Sequence, residues 1–345
     1  MMKTILYLTG IFGLFITSCS YDASWPKPEI ESSQQVVAFY NVENLFDTIK
    51  DYKINDAEFL PQSKLGWDSE KYLTKLDRLA TVIKSMEYPV LLGLSEIENR
   101  TVLDDLVNQA KLEKADYQVA HINSSDPRGI DCALLYRADF YEVDTMYLIR
   151  AYERSQRSPG REQLVVEGHW HNGKATTVAI NHWPSRRKGL AQSEPKRISA
   201  ARNLFLGLYD RHQIEEDYIL IMGDFNDEPS NTSIKRTLNA GPAEDKGAYK
   251  FINLSYPAFD AGKGSYNYRG SWNMLDQIIV SKPFWDCSDG LCFKPAKVYD
   301  APSLLFRHPK NGLSPNRTAG GPNYYGGYSD HLPVYAPLSI PVKKE

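Results

Sequence analysis

Tyr218 to Pro229, YILIMGDFNDEP, is an apolar run that stops at a glycine and then presents two polar side chains, Asp224 and Asn226. Tyr218 to Met222 has the apolar, β-branched and aromatic make-up of a strand buried on both faces, and Gly223 ends it. In an open α/β sheet ligands bind beyond the carboxyl ends of the strands, so a carboxylate and an amide two residues apart there share one pocket. Asp-x-Asn also closes ordinary turns through its own backbone bonds, and the stretch alone leaves that reading open. Five further apolar runs are flanked in the same way. Val36 to Tyr40 runs into Asn41, Val90 to Ser95 into Glu96, and Thr176 to Ile180 into Asn181 and His182. Asp276 lies between Leu275 and the run Ile278 to Val280, and Asp330-His331 precedes Leu332 to Tyr335. Six strand-edge clusters of Asn, Glu, Asp and His exceed what loop chemistry alone supplies and point to one site. Within it Glu96 offers a hard oxygen ligand suited to Mg²⁺ and Asn41 a neutral carbonyl, which leaves most of the metal's shell to water and substrate. Glu98, two residues on, competes with Glu96 for that role.

The set YNVENLF, LSEIEN, INHWPSR, GDFND, LDQIIVS and SDHLPV, in this order, resembles the endonuclease/exonuclease/phosphatase superfamily over roughly residues 34 to 340. That superfamily includes pancreatic deoxyribonuclease, apurinic-site endonucleases, neutral sphingomyelinases and inositol polyphosphate 5-phosphatases. The resemblance implies an α/β fold, a four-layer sandwich of two packed mixed β-sheets flanked by helices, and metal-dependent hydrolysis of phosphate esters. Such an ester is anionic and resists hydroxide, so a catalyst must neutralise its oxygens, activate a water and hold it in line with the leaving group. The family pattern places the metal, Mg²⁺ or in its stead Mn²⁺, on Glu96 with Asn41, and Asp330 close to it. It implies that Asp224 orients or deprotonates the water, that Asn226 donates to the phosphate, and that Asp276 fixes the His331 imidazole. His182 is implied to bind the scissile phosphate or to protonate the leaving group. The segment Asp126-Pro127-Arg128-Gly129-Ile130-Asp131 departs from the nuclease branch, which often has a tyrosine or a glutamate there. Asp131 is expected as the partner of His182, and Arg128 as a phosphate ligand in place of the tyrosine.

Arg154, Arg157 and Arg161 form one basic cluster, and Arg186, Arg187 and Lys188, directly after His182, form another. Charge runs are usually solvated faces. The second cluster is the better placed, because a loop leaving His182 lies next to the scissile phosphate and arginine forks suit phosphate oxygens. Arg161, Arg186 and Arg187 therefore join Arg128 and Asp131 as expected substrate-binding residues. Tyr266, Tyr268, Arg269 and Trp272, just before Asp276, read either as stacking surfaces for bases or as packing aromatics.

The elements that must position these residues are of ordinary composition. The chain has 345 residues, 42% apolar and 24% charged, and no internal break argues for two domains. Leu73, Leu76, Leu79, Ala80 and Ile83 at helical spacing predict a helix over Ser69 to Met86, with Asp68 or Ser69 as cap, packed on a sheet. Thr101 to Ala110 predicts a second helix. Glu194 to Arg211 predicts a third, with Pro195 in its first turn and Ile198, Ala201, Leu204, Phe205 and Leu208 inward. Asp300 to Gly327, rich in Pro, Gly, Asn and Tyr, predicts irregular chain of functional use.

At the start of the sequence Lys3 precedes a 12-residue apolar stretch, Ile5 to Ile16, too short for a permanent spanning helix. Residues 1–19 read as a signal peptide, and Ile16-Thr17-Ser18-Cys19 resembles the bacterial lipobox, whose cleavage leaves lipid on Cys19. The expectation is an exported protein anchored to the bacterial outer membrane, with residues 20–33 as a tether and 34–340 as the catalytic domain. A formal charge of −3, from 40 basic and 43 acidic residues, gives no global attraction to nucleic acid, so any attraction is local. Cys132 reads as an inert thiol in a buried strand, and Cys287 and Cys292, flanking Ser-Asp-Gly-Leu, as a hairpin disulfide. The reading that follows is an exported, monomeric, Mg²⁺-dependent nuclease acting on DNA or RNA, with no protein partner. Its alternatives are a phosphatase or phospholipase-type phosphodiesterase on lipid or inositol phosphates, and a non-catalytic polymer-binding lipoprotein. A binding module has no need of the whole set Asn41, Glu96, His182, Asp224, Asn226, Asp276 and His331.

Overall fold

The structure, a computed structural model, describes residues 25–150, 161–187 and 189–341. The expected signal peptide, Cys19, Arg154, Arg157 and Lys188 lie outside the described residues. Strand β1 (Gln34–Leu45) is buried on both faces and alternates its side chains between two apolar clusters, as the twofold period of a strand requires. Val36, Ala38 and Tyr40 join Leu76, Leu79 and Ile83 of helix α1 (Ser69–Ser85), while Val37 and Phe39 face a second sheet. The Asp68 carboxylate caps α1 by accepting the Lys71 N–H. The helix leads to β2 (Leu91–Ile97), parallel to β1, then to α2 (Arg100–Val107), β3 (Tyr117–His121) and β4 (Asp131–Arg137). β4 pairs antiparallel with both β2 and β3.

The second sheet repeats this plan. β5 (Tyr141–Ile149), β6 (Gln163–Trp170) and β7 (Ala175–His182) run antiparallel, and α3 (Leu190–Tyr209) crosses over to β8 (Tyr218–Asp224), parallel to β7. Short β9 (Ala240–Gly241), β10 (Phe251–Asn253), α4 (Tyr256–Asp260) and the hairpin β11 (Tyr266–Tyr268) with β12 (Ser271–Asn273) lead into β13 (Asp276–Ser281). β13 pairs antiparallel with β8 and β10. The chain returns to the first sheet through α5 (Lys282–Asp286), β14 (Cys292–Phe293) and β15 (Lys297–Val298). Two hairpins follow, β16 (Leu305–His308) with β17 (Gly312–Pro315) and β18 (Ala319–Gly320) with β19 (Asn323–Tyr324). β20 (Val334–Ser339) then pairs with β1, β14 and β15.

The result is the expected four-layer α/β sandwich. α1 and α2 cover one sheet, α3 covers the other, and the facing strands meet through residues such as Phe39, Leu134, Val178 and Met222. Two glycines let this happen. A Cβ on Gly93 would stand 2.6 Å from the Met222 sulfur across the sheets, and one on Gly223 would stand 2.4 Å from the Asn181 carbonyl oxygen. Among the described residues no helix is long and apolar enough to cross a membrane.

Several expectations need correction. Residues 25–33 are not an extended tether: Trp25 meets Tyr328 edge-on at 5.6 Å, and the Tyr299 hydroxyl donates to the Pro26 carbonyl at 2.6 Å. Helix α3 starts at Leu190, so Pro195 sits beyond the first turn; Ile198 and Phe205 are half-buried and Leu73 of α1 is exposed. Residues 300–327 are organised as two hairpins rather than irregular chain. Cys287, the left-handed cap of α5, and Cys292 are free thiols rather than a disulfide. Burial, and then the hydrogen bond to Cys292, push the Cys287 thiol up to about 11.

Candidate active site

Strand register assembles the site. His182 of β7 pairs with Asp224 of β8, and Asp224 pairs with Asp276 of β13, so one imidazole and two carboxylates form a row at one edge of the second sheet. In the first sheet Asn41 pairs with Ser95, which brings Glu96 to the corresponding edge. The two edges join where Asn41 Nδ2 donates to Asp224 Oδ2 at 3.1 Å. The segment before β20 completes the site by placing His331 Nδ1 2.6 Å from Asp276 Oδ2. Glu96 and Asn226 both have positive φ, 67° and 50°, a conformation that persists only where surrounding structure imposes it.

Asp224 is the centre of the hydrogen bonding. Its Oδ1 accepts the Asn226 backbone N–H at 2.9 Å, and its Oδ2 accepts amide N–H groups from Asn41 and Asn226 and lies 3.5 Å from His182 Nε2. Burial pushes the Asp224 carboxyl up to about 7; the Asp276 charge adds to this and His331 opposes it. For His331 burial disfavours the cation, yet the Asp276 and Asp224 carboxylates outweigh it and lift the imidazole well above its usual value. His182 goes the other way, held well below its usual value by burial and then by Arg161 and Arg128. The two histidines therefore carry different charges at neutral pH, His331 cationic and His182 neutral.

Residues 36–339 match the family described as Endonuclease/Exonuclease/phosphatase family. The chain belongs to that family. Its members are metal-dependent phosphoric ester hydrolases, and this chain is one of them. An endonuclease/exonuclease/phosphatase family protein from Bacteroides thetaiotaomicron is 15% identical with a TM-score of 0.56, covering 90% of this chain and 98% of that one. A mannosyl-6-phosphatase from the same organism gives 15% identity and a TM-score of 0.54, covering 89% of this chain and 100% of its own. A humanized D. rerio TDP2 gives 12% identity and a TM-score of 0.55, covering 90% and 100%. At these identities the likeness is one of fold. No curated protein matches the chain by sequence.

Not every residue expected from the family pattern is placed as expected. Asp131 does not reach His182; its Oδ2 lies 3.0 Å from His121 Nε2 and its Oδ1 accepts the Ser124 N–H, while His182 Nδ1 is buried without a hydrogen-bond partner. Both N–H bonds of the Asn226 amide are engaged, by Asp224 and by the Trp183 carbonyl, so Asn226 orients Asp224. Arg186 is a brace: Nε donates to the Asn226 carbonyl at 2.6 Å, Nη1 to Asn273 at 3.0 Å and Nη2 to Asn231 at 3.1 Å. Arg128, Arg161 and exposed Arg187 line, with Arg186, one cavity of about 670 Å³ that also holds Glu96, His182 and Asp224. Burial pulls the Arg161 guanidinium down to about 10, and its Nη1 donates to the Trp183 carbonyl at 2.8 Å.

Functional residues absent from the sequence reading are the buried ones. Glu43 holds Arg317 by two bonds of 3.0 and 2.9 Å, and Lys75 donates to Thr318 at 2.5 Å and to the Tyr328 carbonyl at 2.6 Å. Together they tie the segment that carries Asp330 to β1, through Glu43, and to α1, through Lys75. Arg197, fully buried in α3, lies 2.8 Å from Asp227. Its signal was its spacing from Ala201, Leu204 and Leu208, which puts it on the apolar face.

Asp224, Asp276 and His331 lie close enough for a metal, their nearest ligand atoms all within 4.8 Å. Asp276 Oδ2 and His331 Nδ1 are engaged with each other, however, and Asp224 Oδ2 already accepts from Asn41 and Asn226. Glu96 and Asp330 fit better. Both line the cavity, Glu96 Oε2 accepts the Asn44 N–H at 3.0 Å, and carboxylate oxygens suit a hard divalent ion, whereas Asn41 Oδ1 accepts the Glu43 N–H at 3.0 Å. Glu98 instead is buried and accepts the Asp47 N–H at 2.7 Å. Glu96→Gln should weaken Mn²⁺ binding, read by calorimetry, by at least about tenfold, whereas Glu98→Gln should leave it within error. The reverse pattern would move the ligand to Glu98.

Proposed function

We propose that the chain is an exported, Mg²⁺-dependent nuclease cutting DNA or RNA phosphodiesters, anchored to the bacterial outer membrane through lipid on Cys19 and acting as a monomer. The observation that supports the nuclease reading is the ring of Arg128, Arg161 and Arg187 around the catalytic cavity, more cationic contacts than one isolated phosphate requires. When bound, the divalent ion supplies charge that neutralises phosphate oxygens and acidifies water. The chain's own residues do the rest. Asp224, oriented by Asn41 and Asn226, accepts a proton from the attacking water, a role for which a carboxyl near 7 is matched to neutral pH. The His331 cation, fixed by Asp276, lies beside Asp224 and offsets negative charge as it develops. Neutral His182 presents Nε2 toward the cavity to hydrogen-bond a phosphate oxygen or the leaving group.

The test is a panel of plasmid DNA, RNA, bis(4-nitrophenyl) phosphate and a phosphoinositide, each with Mg²⁺ and Mn²⁺. Turnover of the phosphoinositide with both nucleic acids untouched would overturn the nuclease reading. Within the panel Arg187→Ala should slow DNA cleavage and reduce the slope of log activity against log salt by roughly one, for one lost phosphate contact. Hydrolysis of the small diester should hardly change. Arg186→Ala should lower both activities together, because that side chain positions Asn226.

A further inference from the structure

We infer that a second cavity, opening beside the catalytic one between hairpins β11–β12 and β16–β17, is a stacking subsite for an unpaired nucleobase next to the scissile phosphate. The inference rests on the nuclease reading and narrows its substrate to single strands. The cavity is about 740 Å³ and shares Tyr266, Tyr268 and Asp330 with the catalytic cavity, so a substrate held at one reaches the other without leaving the surface. The two hairpins are tied by Asn267 Nδ2 donating to the Leu313 carbonyl at 3.3 Å, which makes the wall continuous.

Its lining is unusual for this surface. Five aromatic side chains are exposed among the described residues, and three of them, Tyr268 at 56%, Phe306 at 52% and Tyr325 at 58%, line this one cavity. Exposed rings gathered at one place mark a binding surface. The Arg269 guanidinium lies 5.2 Å from the Tyr268 ring centroid and adds a second flat, cationic face. Every base offers a π-face to such a platform, and each stacked base contributes roughly 10- to 100-fold in affinity. Bases inside a duplex are covered on both faces by their neighbours and cannot use it. Duplex binding would also rely on a broad positive field, and the chain's formal charge of −3 provides none.

The test compares wild type with Phe306→Ala/Tyr325→Ala, at two rings that line the second cavity and not the catalytic one, on three substrates: an oligothymidylate, an abasic oligomer of the same length, and the oligothymidylate paired with oligoadenylate. For wild type, kcat/KM should be highest on the free oligothymidylate and about tenfold or more lower on the abasic oligomer. The double variant should lose that factor on oligothymidylate only, and Phe306→Tyr/Tyr325→Phe, which keeps the rings, should restore it. Equal losses on both single strands, no loss on oligothymidylate, or faster cutting of the duplex would overturn the subsite. Should wild type cut no nucleic acid, the nuclease reading fails, and fluorescence anisotropy with labelled oligothymidylate and Ca²⁺ decides the subsite separately. Binding that the double variant weakens keeps it, and no binding overturns it. Turnover of a hexose phosphate that falls in the double variant would reassign the cavity to sugars and overturn the proposal.

Discussion

Asp276→Asn should lower kcat by roughly 10³- to 10⁴-fold with the domain still folded. Asp276 is fully buried, and its Oδ2 stands 2.6 Å from His331 Nδ1, the shortest contact among the catalytic side chains. An amide of the same shape removes the first of the three carboxylates, Asp276, Asp224 and Asp330, that hold the His331 cation against burial. It also presents either an N–H toward Nδ1 or a weaker acceptor, so the imidazole loses its proton or its orientation. Three measurements separate this from a general loss of structure. Far-UV circular dichroism should be unchanged. The His331 imidazole, followed by NMR, should titrate at lower pH than in wild type. The double variant Asp276→Asn/His331→Ala should be no slower than His331→Ala alone, because residues acting as one unit are not additive. A single variant that keeps kcat within tenfold of wild type would take the pair out of catalysis.

How much of this was legible in the sequence depends on whether a property is carried along the chain or across it. The alternation in β1 and the run Tyr218 to Met222 are local, and strands form where they read. The row His182, Asp224, Asp276 was readable as membership of one site, since each ends or begins an apolar run, but its order comes from register between β7, β8 and β13. Asp131 was misassigned for the same reason. The antiparallel register of β3 on β4 brings His121 to it, and no sequence spacing announces that pairing. Arg186 and Arg187 are adjacent and chemically identical, yet one is engaged by Asn226, Asn231 and Asn273 while the other is exposed. Only tertiary hydrogen bonding distinguishes them. The start of α3 was missed because Gly189, at φ 95°, permits the turn into the helix, whereas Pro195 looked like the entry signal.

Arg197→Met should destabilise the fold by roughly 3–5 kcal/mol in urea denaturation, the range for removing one partner of a buried ion pair. Both partners are out of water, Arg197 at 0% and Asp227 at 1% side-chain exposure. Arg197 Nε lies 2.8 Å from Asp227 Oδ1 without a hydrogen-bond angle, so charge rather than directional bonding joins them, and Nη1 donates to Ser193 at 2.7 Å. Methionine fills the space but leaves the Asp227 carboxylate buried with only the Ser233 hydroxyl and a 3.4 Å contact from Arg186. Adding Asp227→Asn should recover much of the loss, because the uncompensated charge is then gone. The consequence for catalysis follows from where Asp227 sits. It directly follows Asn226, whose left-handed backbone is braced by Arg186 and whose amide orients Asp224. Below its melting temperature Arg197→Met should therefore lower kcat on bis(4-nitrophenyl) phosphate more than it raises KM, since the site loses orientation of the proton acceptor and no contact with substrate. A cost under about 1 kcal/mol would mean that Arg186 alone neutralises Asp227, and the loop bearing Asn226 would then owe its shape to β8 and β13 rather than to α3.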